Sequence, residues 1–456
     1  MIRFANQDLV VWQVVAVIAQ IVLLGTIIMT SNAGGRTVVR RMLNPGCWLT
    51  FFYTLWFLIP QCVSITNANF ILGINKPTAA MVLTTQGHLV AFLSVVCLGL
   101  LLIRWTIDFP AARLPPTLEF VPLRSREKWL LGIFYLVGFV ATLYLGNELM
   151  SIDGSRAQLV KTPVGLAATT ASFYGLFAMA VGTGHTLFHR RFLAAAAVIA
   201  VMGWAIFYTG ARGRLLWPIV LGVAYVFCRT DRVRMRPLVG LGVLGFLVLL
   251  VFDPVLNSMR NNDGNLDMDQ VQKKTQLSNL FMKKRNFDGF ANFAVITNDD
   301  APPRDSGVYL EGGRRLFMTN YFPEVWAKKV GFGTTLPGML YLGGGSRGLL
   351  WGGFLYGIFL GVLGFIFRRI RSEPLFWAYA FAMTWLAAVG GNFQESLDKM
   401  ATVASPGIVW LLLCPPRRFP IALRFPMTNG QSRASAEPTE KRPRTVGGFA
   451  GSDALV

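Results

Sequence analysis

Continuous apolar runs of about 20 residues recur along nearly the whole chain, and each is long enough to cross a hydrocarbon core of about 30 Å as a helix. That feature restricts the fold before any motif is read. A spanning segment must satisfy its backbone polar groups internally, which leaves helices or closed barrels. These runs are unbroken rather than alternating, so helices are expected. Composition agrees: 53% of the 456 residues are hydrophobic, 14% are charged and the mean hydropathy is +0.49, outside the range of a soluble domain. The expected fold class is an all-α polytopic membrane protein.

The runs place helices near residues 9–29, 47–66, 81–103, 129–147, 164–188, 192–209, 215–228, 238–252, 347–367, 375–390 and 400–414. That makes about eleven transmembrane helices, with one long extracytoplasmic loop between helices 8 and 9. The first run lacks a basic flank and a small-residue cleavage site, so it reads as a retained helix rather than a cleaved signal. Residues 1–252 then carry helices 1–8, residues 253–346 form a long periplasmic loop with short amphipathic helices, and residues 347–416 carry helices 9–11. Residues 417–456 read as a disordered cytoplasmic tail, since apolar runs cease there.

A net charge of +20 would suggest nucleic acid as partner for a soluble protein, but here its distribution matters more. Alternate connections carry the basic clusters: Arg36, Arg40 and Arg41; Arg104, Arg113, Arg124 and Arg126; Arg190 and Arg191; Arg229, Arg232, Arg234 and Arg236; Arg368, Arg369 and Arg371; Arg417 and Arg418. The positive-inside rule makes these loops cytoplasmic, with a periplasmic N-terminus and a cytoplasmic C-terminus. Nucleic acid is not an expected partner; membrane lipid is. The five cysteines form no C-x-x-C pair and the three histidines are scattered, so neither a disulfide framework nor a metal site is expected.

"YTGARGRLLWP", residues 208–218, breaks the charge rule: Arg212 and Arg214 occupy a tight turn on the outer side. An interfacial anchor that snorkels to water explains such a pair at little cost. Anion capture explains it too, because guanidinium offers a planar fork of donors matched to phosphate, and Gly210 and Gly213 allow close approach. The long loop holds eleven Lys or Arg and ten Asp or Glu, the mixture of a folded water-facing region. Its cations include Arg260, Arg285, Arg314 and, at its exit, Arg347. In "QLSNLFMKKRNFDGFANFAVIT" apolar residues at 277, 280, 281, 287, 290 and 294 suit a helix along or beneath the membrane surface, with Asp288 three residues after Arg285. "GTTLPGMLYLGGGSRG" suits a re-entrant segment whose irregular backbone must be covered by protein. Tyr321 and Trp326 could stack on sugar faces, although interfacial aromatic belts use the same residues. Gly353, Gly357 and Gly361 form a small-residue ridge expected to pack on another helix. His88, inside the third helix, suits either a functional polar group or a satisfied packing histidine.

Together these elements resemble the Wzy-type O-antigen polymerases. "YTGARGRLLWP" is similar to that family's small-x-Arg-Gly motif, "KKRNFDGFANFAVI" to its Arg-x-x-Asp element, "NYFPEVWAKKVGFG" to its Pro-then-Trp-Lys element, and "GGGSRGLLWGGFLYGIFLG" to its Gly-rich entry into the next helix. Ala211 stands where the family more often has serine, and no acidic residue lies near Leu350. The resemblance covers roughly residues 200–400 and implies a GT-C-like membrane glycosyltransferase that needs no metal, cofactor or nucleotide sugar. Its implied substrate is an undecaprenyl-pyrophosphate-linked oligosaccharide, polymerised at the periplasmic face of the bacterial inner membrane, with a chain-length regulator protein as candidate partner. Arg212 and Arg214, with Arg285, would hold the pyrophosphate; Asp288 or Glu395 would serve as base; Arg260, Arg314, Arg347, Tyr321 and Trp326 would bind substrate. An O-antigen ligase of the same superfamily and a flippase of lipid-linked sugars are the alternatives; the latter predicts basic residues within helix interiors, which are nearly free of them.

Overall fold

The computed structural model describes residues 2–32, 44–66, 78–108, 123–151, 162–208, 213–230, 268–269, 289–311, 313–324, 334–370, 373–386 and 397–415. Two compact units divide the chain, Met1–Leu423 and Arg424–Val456, and the second lies outside the described residues. All regular elements described are helices. In chain order they are α1 (Ile2–Asn32), α2 (Pro45–Tyr53), a π-helical turn (Thr54–Leu58), α3 (Ile59–Thr66), α4 (Ala79–Ile103), a second π-helical turn (Arg104–Asp108), α5 (Ser125–Ser151) and α6 (Pro163–Phe188). There follow α7 (Phe192–Tyr208), α8 (Gly213–Thr230), α9 (Gly289–Thr297), α10 (Val308–Glu311), α11 (Arg314–Tyr321), α12 (Leu336–Arg369), α13 (Glu373–Leu386) and α14 (Leu397–Leu413).

Among the described residues, five helices are long and apolar enough to cross a membrane: Asp8–Ser31, Ala79–Ile107, Ser125–Glu148, Pro163–Phe188 and Leu336–Phe367. Phe192–Ile206 and Thr402–Leu413 are shorter apolar helices. The helix expected at 238–252 lies outside the described residues. Local chemistry sets several boundaries. Asn44 and Thr162 cap α2 and α6 through their side-chain oxygens, each ahead of a proline at the first helical position, where the missing N–H is no loss. The first π turn precedes Pro60, which has no N–H to bond Trp56; Ile59 instead donates to Thr54, five residues back.

Packing falls into two groups. One joins α1, α2, α4, α9, α11 and α12 around Leu89, Phe92, Phe290, Phe293 and Leu342. α1 and α4 run the same way, with Gln13 Nε2 donating to the Ala79 carbonyl at 2.9 Å and Cys97 Sγ meeting that of Leu23 at 3.5 Å. The glycine ridge expected from the sequence forms the seam between α4 and α12: a Cβ on Gly357 would strike the Val96 backbone, one on Gly353 would meet Val95 and Phe92, and one on Gly361 would meet Ile103. From the other side, Gly99 faces the backbone of Phe354 and Ile358. Buried amides hold α1 to α3 and α2: Gln20 and Gln61 exchange hydrogen bonds of 2.8 and 3.0 Å, and the Tyr53 hydroxyl donates to Gln20 at 2.7 Å.

The second group joins α5–α8, α13 and α14 around Phe177, Tyr225, Trp377 and Trp410. Tyr135 bonds the Val198 carbonyl and Phe139 stacks on Trp204, so α5 and α7 run together; Gly182 faces Val198 and Gly175 faces Met202, so α6 runs against both. Glu373, fully buried at the start of α13, draws three elements together: the Tyr225 hydroxyl and Trp377 Nε1 donate to its Oε1 at 2.6 and 3.3 Å, and His185 Nε2 of α6 lies 2.5 Å from the same oxygen without the alignment of a linear hydrogen bond.

These contacts put Arg104, Arg190 and Arg191 at one end of Met1–Leu423. Arg104 shares a cleft with Ser31, Asn44 and Gly364, and Phe367 stacks on Tyr379. Glu373 follows Arg368 and Arg369 and meets His185, just ahead of Arg190 and Arg191. The remaining basic clusters expected on that side, at 36–41, 113, 232–236, 371 and 417–418, lie outside the described residues.

Candidate functional site

At the opposite end the chain makes its sharpest turn. α12 starts at Thr335, whose hydroxyl caps Gly338 N at 3.2 Å, and runs helically until Gly344 and Gly345, which leave helical geometry. Gly345 has φ 61° and ψ −149°, a combination open essentially to glycine alone. The chain folds back there: a Cβ on Gly348 would strike the Leu340 carbonyl, and one on Gly352 the Leu340 side chain. In a straight helix residues 340 and 348 would stand about 12 Å apart. The element is therefore a helical hairpin within the stretch "GTTLPGMLYLGGGSRG", and its long second arm is the membrane-length helix.

Preceding residues cover the turn. Asp305 N–H donates to the Leu342 carbonyl at 3.3 Å, and the Asp305 carboxylate accepts from Gly307 N at 2.8 Å, shaping the entry to α10. The Tyr309 phenol lies on the turn, where a Cβ at Gly344 or Gly348 would come 3.1 or 2.9 Å from its oxygen. Burial raises the Tyr309 pKa. The Arg304 guanidinium lies over Gly345, 3.1 Å from where a Cβ would sit. Arg304 and Arg347 are both exposed, and among the described residues neither forms an ion pair. One guanidinium thus lies over the turn, and Arg347 follows the turn by two residues. An alanine at Gly345 is expected to cost about 1–3 kcal/mol through its backbone conformation and to displace Arg304, read as a lower melting temperature in detergent.

Beside the turn, α9 is wedged against α4 and α12, and nearly all its residues are buried. Of the stretch read as a helix along or beneath the membrane surface only Gly289–Thr297 is described, and there "GFANFAVIT" is apolar around most of its circumference and buried among other helices. Thr297 and Thr85 share a hydroxyl contact of 3.0 Å, and Asn298 Nδ2 donates to Thr85 Oγ1 at 3.1 Å and to the Met81 carbonyl at 3.2 Å. His88 meets Tyr341 and Phe293 edge-on at 5.2 and 6.4 Å, while its Nδ1 lies 2.9 Å from the Thr84 carbonyl. That contact fits a proton on Nδ1, and the ring packs edge-on against Tyr341 and Phe293. Tyr321 donates to Asp299 Oδ2 at 2.8 Å, and Ala301 N donates to Oδ1 at 3.1 Å. Burial first, then the hydrogen bond and charge of Asp299, push the Tyr321 pKa well above its usual value, so the phenol stays a donor.

Of the site residues expected from the sequence, Arg347 and Tyr321 fall in this region. Arg214 and Arg314 lie at helix starts, in the first turns of α8 and α11, with side chains outside the described residues. Arg212, Arg260, Arg285, Asp288, Trp326 and Glu395 lie outside them altogether. The start of α8 is recessed. Gly222 packs on Thr183, which puts Gly213 about 13 Å toward the opposite end, whereas Pro163 of α6 reaches about 30 Å that way. Sequence reasoning missed Arg304, Asp299 and the His185–Glu373–Tyr225 cluster. Their signals were slight: an Asn-Asp-Asp-Ala-Pro-Pro-Arg-Asp run for the first two, and an acid opening an apolar helix for the third.

Comparison of the chain with family models, curated proteins and solved structures finds no match.

Proposed function

We propose that the chain polymerises undecaprenyl-pyrophosphate-linked oligosaccharide repeat units by glycosyl transfer at the periplasmic face of the bacterial inner membrane, the glycine turn being at that face. The observation that carries this reading is the exposed Arg304 guanidinium over Gly345, with the exposed Arg347 two residues along the chain, neither in an ion pair among the described residues. Departure of a pyrophosphate needs fixed positive charge where negative charge develops, and a guanidinium on a rigid turn supplies it without rearrangement at the moment of reaction. Arg212 and Arg214 extend the same cationic surface in this reading, at a recessed depth suited to a headgroup whose prenyl chain lies in lipid. The attacking sugar hydroxyl needs a base. Asp299, oriented by Tyr321 and the Ala301 amide, joins Asp288 and Glu395 as a candidate. The family resemblance of residues 200–400 names the donor, and an eleven-helix GT-C-like architecture belongs to the same proposal.

The test is purified protein in liposomes given only an undecaprenyl-pyrophosphate-linked oligosaccharide, without nucleotide sugar or divalent metal. A ladder of longer glycans is expected. Transfer of the glycan to a lipid A core without a ladder would make the chain a ligase, and headgroup translocation without either product would make it a flippase.

A further inference from the structure

Glu373 opens α13 with no exposed surface, and the reaction proposed above makes no use of it. Donors converge on one of its oxygens: the Tyr225 hydroxyl at 2.6 Å, Trp377 Nε1 at 3.3 Å and His185 Nε2 at 2.5 Å from Oε1. Such crowding suits a carboxylate rather than a carboxylic acid, and the start of a helix favours the same charge. Oε2 is buried with no hydrogen-bond partner among the described residues, so the charge gains no support on that side. His185 becomes its cationic partner when the imidazole is protonated on both nitrogens. The remaining enclosure is aromatic, with Tyr225 stacked on Trp377 at 4.8 Å and tilted against Phe376 at 6.0 Å. In such surroundings a carboxylate whose partner loses its charge is a costly state.

Water reaches the pair through His185, whose side chain is 19% exposed. His189 stands one turn on, exposed, with its ring 6.4 Å from that of His185, and the exposed Arg190 and Arg191 follow. The positive-inside rule makes this end cytoplasmic. We infer that His185 and Glu373 form a proton-binding site, open to the cytoplasm, that clasps α13 to α6 and α8 while it is occupied. The site lies at the other end of the molecule from the glycine turn and requires nothing of the reaction proposed there. Other charges on the elements packed here are placed differently. α8 offers Tyr225, already a donor. α5 begins with Arg124, Arg126, Glu127 and Lys128, and Glu127 accepts from the Arg124 backbone N–H at 2.8 Å. Buried Cys414 follows α14. Arg229, Arg368, Arg369, Asp398 and Lys399 have side chains outside the described residues. Imidazole is the side chain that ordinarily changes charge near neutral pH, which makes His189 the control.

Linkage fixes the sign. The folded chain binds the proton that closes the pair, so stability is greatest at acid pH and falls as pH rises through the imidazole range. The experiment is the melting temperature of the full chain in detergent at about pH 5.5 and about pH 8.5, on either side of the ordinary imidazole value of about 6.5. The wild-type chain is expected to melt several degrees lower at the alkaline value. Glu373→Gln keeps an acceptor oxygen without the charge and should largely remove that difference. His185→Arg, whose charge does not titrate, should hold the acid melting temperature at both values. Tyr225→Phe removes a donor alone, and should melt lower at both values with the difference intact. His189→Gln should behave as the wild type. A difference undiminished in Glu373→Gln, or abolished by His189→Gln, would overturn the site. Stabilisation at the alkaline value by sodium over choline would overturn it too, by assigning Glu373 to a metal cation instead.

Discussion

Replacing Gly357 by valine is expected to cost more than about 3 kcal/mol and to leave little folded protein. The reason lies in what a side chain there would meet. A Cβ would press on the Val96 carbonyl and Cα, which are backbone and cannot swing aside as a side chain could. Gly99 makes the reciprocal approach to Phe354 and Ile358, so α4 and α12 touch along their main chains. Parting them to admit an isopropyl group would also undo the Gly353 and Gly361 contacts on the same ridge. Melting in detergent, with the monodisperse fraction on a sizing column, measures the loss. Gly25, Gly87 and Gly132 provide the control: a Cβ on any of them meets nothing within 4 Å. Alanine at those sites should be neutral or stabilise by about 0.5–1 kcal/mol, since glycine is the poorer helix former. A Gly357 variant as stable as these would disprove the seam.

The second large effect concerns activity. Arg304→Ala and Arg347→Ala should each slow glycan extension about 100-fold, comparable to the removal of one donor from a charge-stabilising site. Both side chains are exposed, so melting temperatures should move little. Lysine restores the charge but not the planar fork, and should recover only part of the rate. The readout is the initial rate of ladder formation by purified protein at saturating donor. Unchanged rates in the double variant would remove the anion-capture reading, because the turn would then keep its geometry without needing its charges.

The sequence was most informative where physics is local. A helix long enough to span announces itself by its own apolar run, and α1, α4, α5 and α6 lie close to the expected ranges. The glycine ridge was legible because residues four apart share a helix face, and the irregular backbone near Gly344 because glycine is a poor helix former. The partner of each was not legible. Nothing in "SEPLFWAYAF" says that Glu373 will meet Tyr225, 148 residues away. Asp299 and Tyr321 are 22 residues apart; α10 intervenes between them and Tyr321 ends α11. For α9 an apolar stripe was legible, but not that Gly289–Thr297, apolar on most sides, would be enclosed by α4 and α12. Arg304 drew no notice in an ordinary loop; its role depends on a turn formed 40 residues later.

The main-chain contact between α4 and α12 decides where an isoprenoid could slip in from the bilayer. A junction that refuses one methyl group has no doorway for a polyprenol, so any lipid-linked cargo must arrive by another flank. The hairpin turn continues from that closed seam, and in the proposed reaction it is the edge against which headgroups would be aligned.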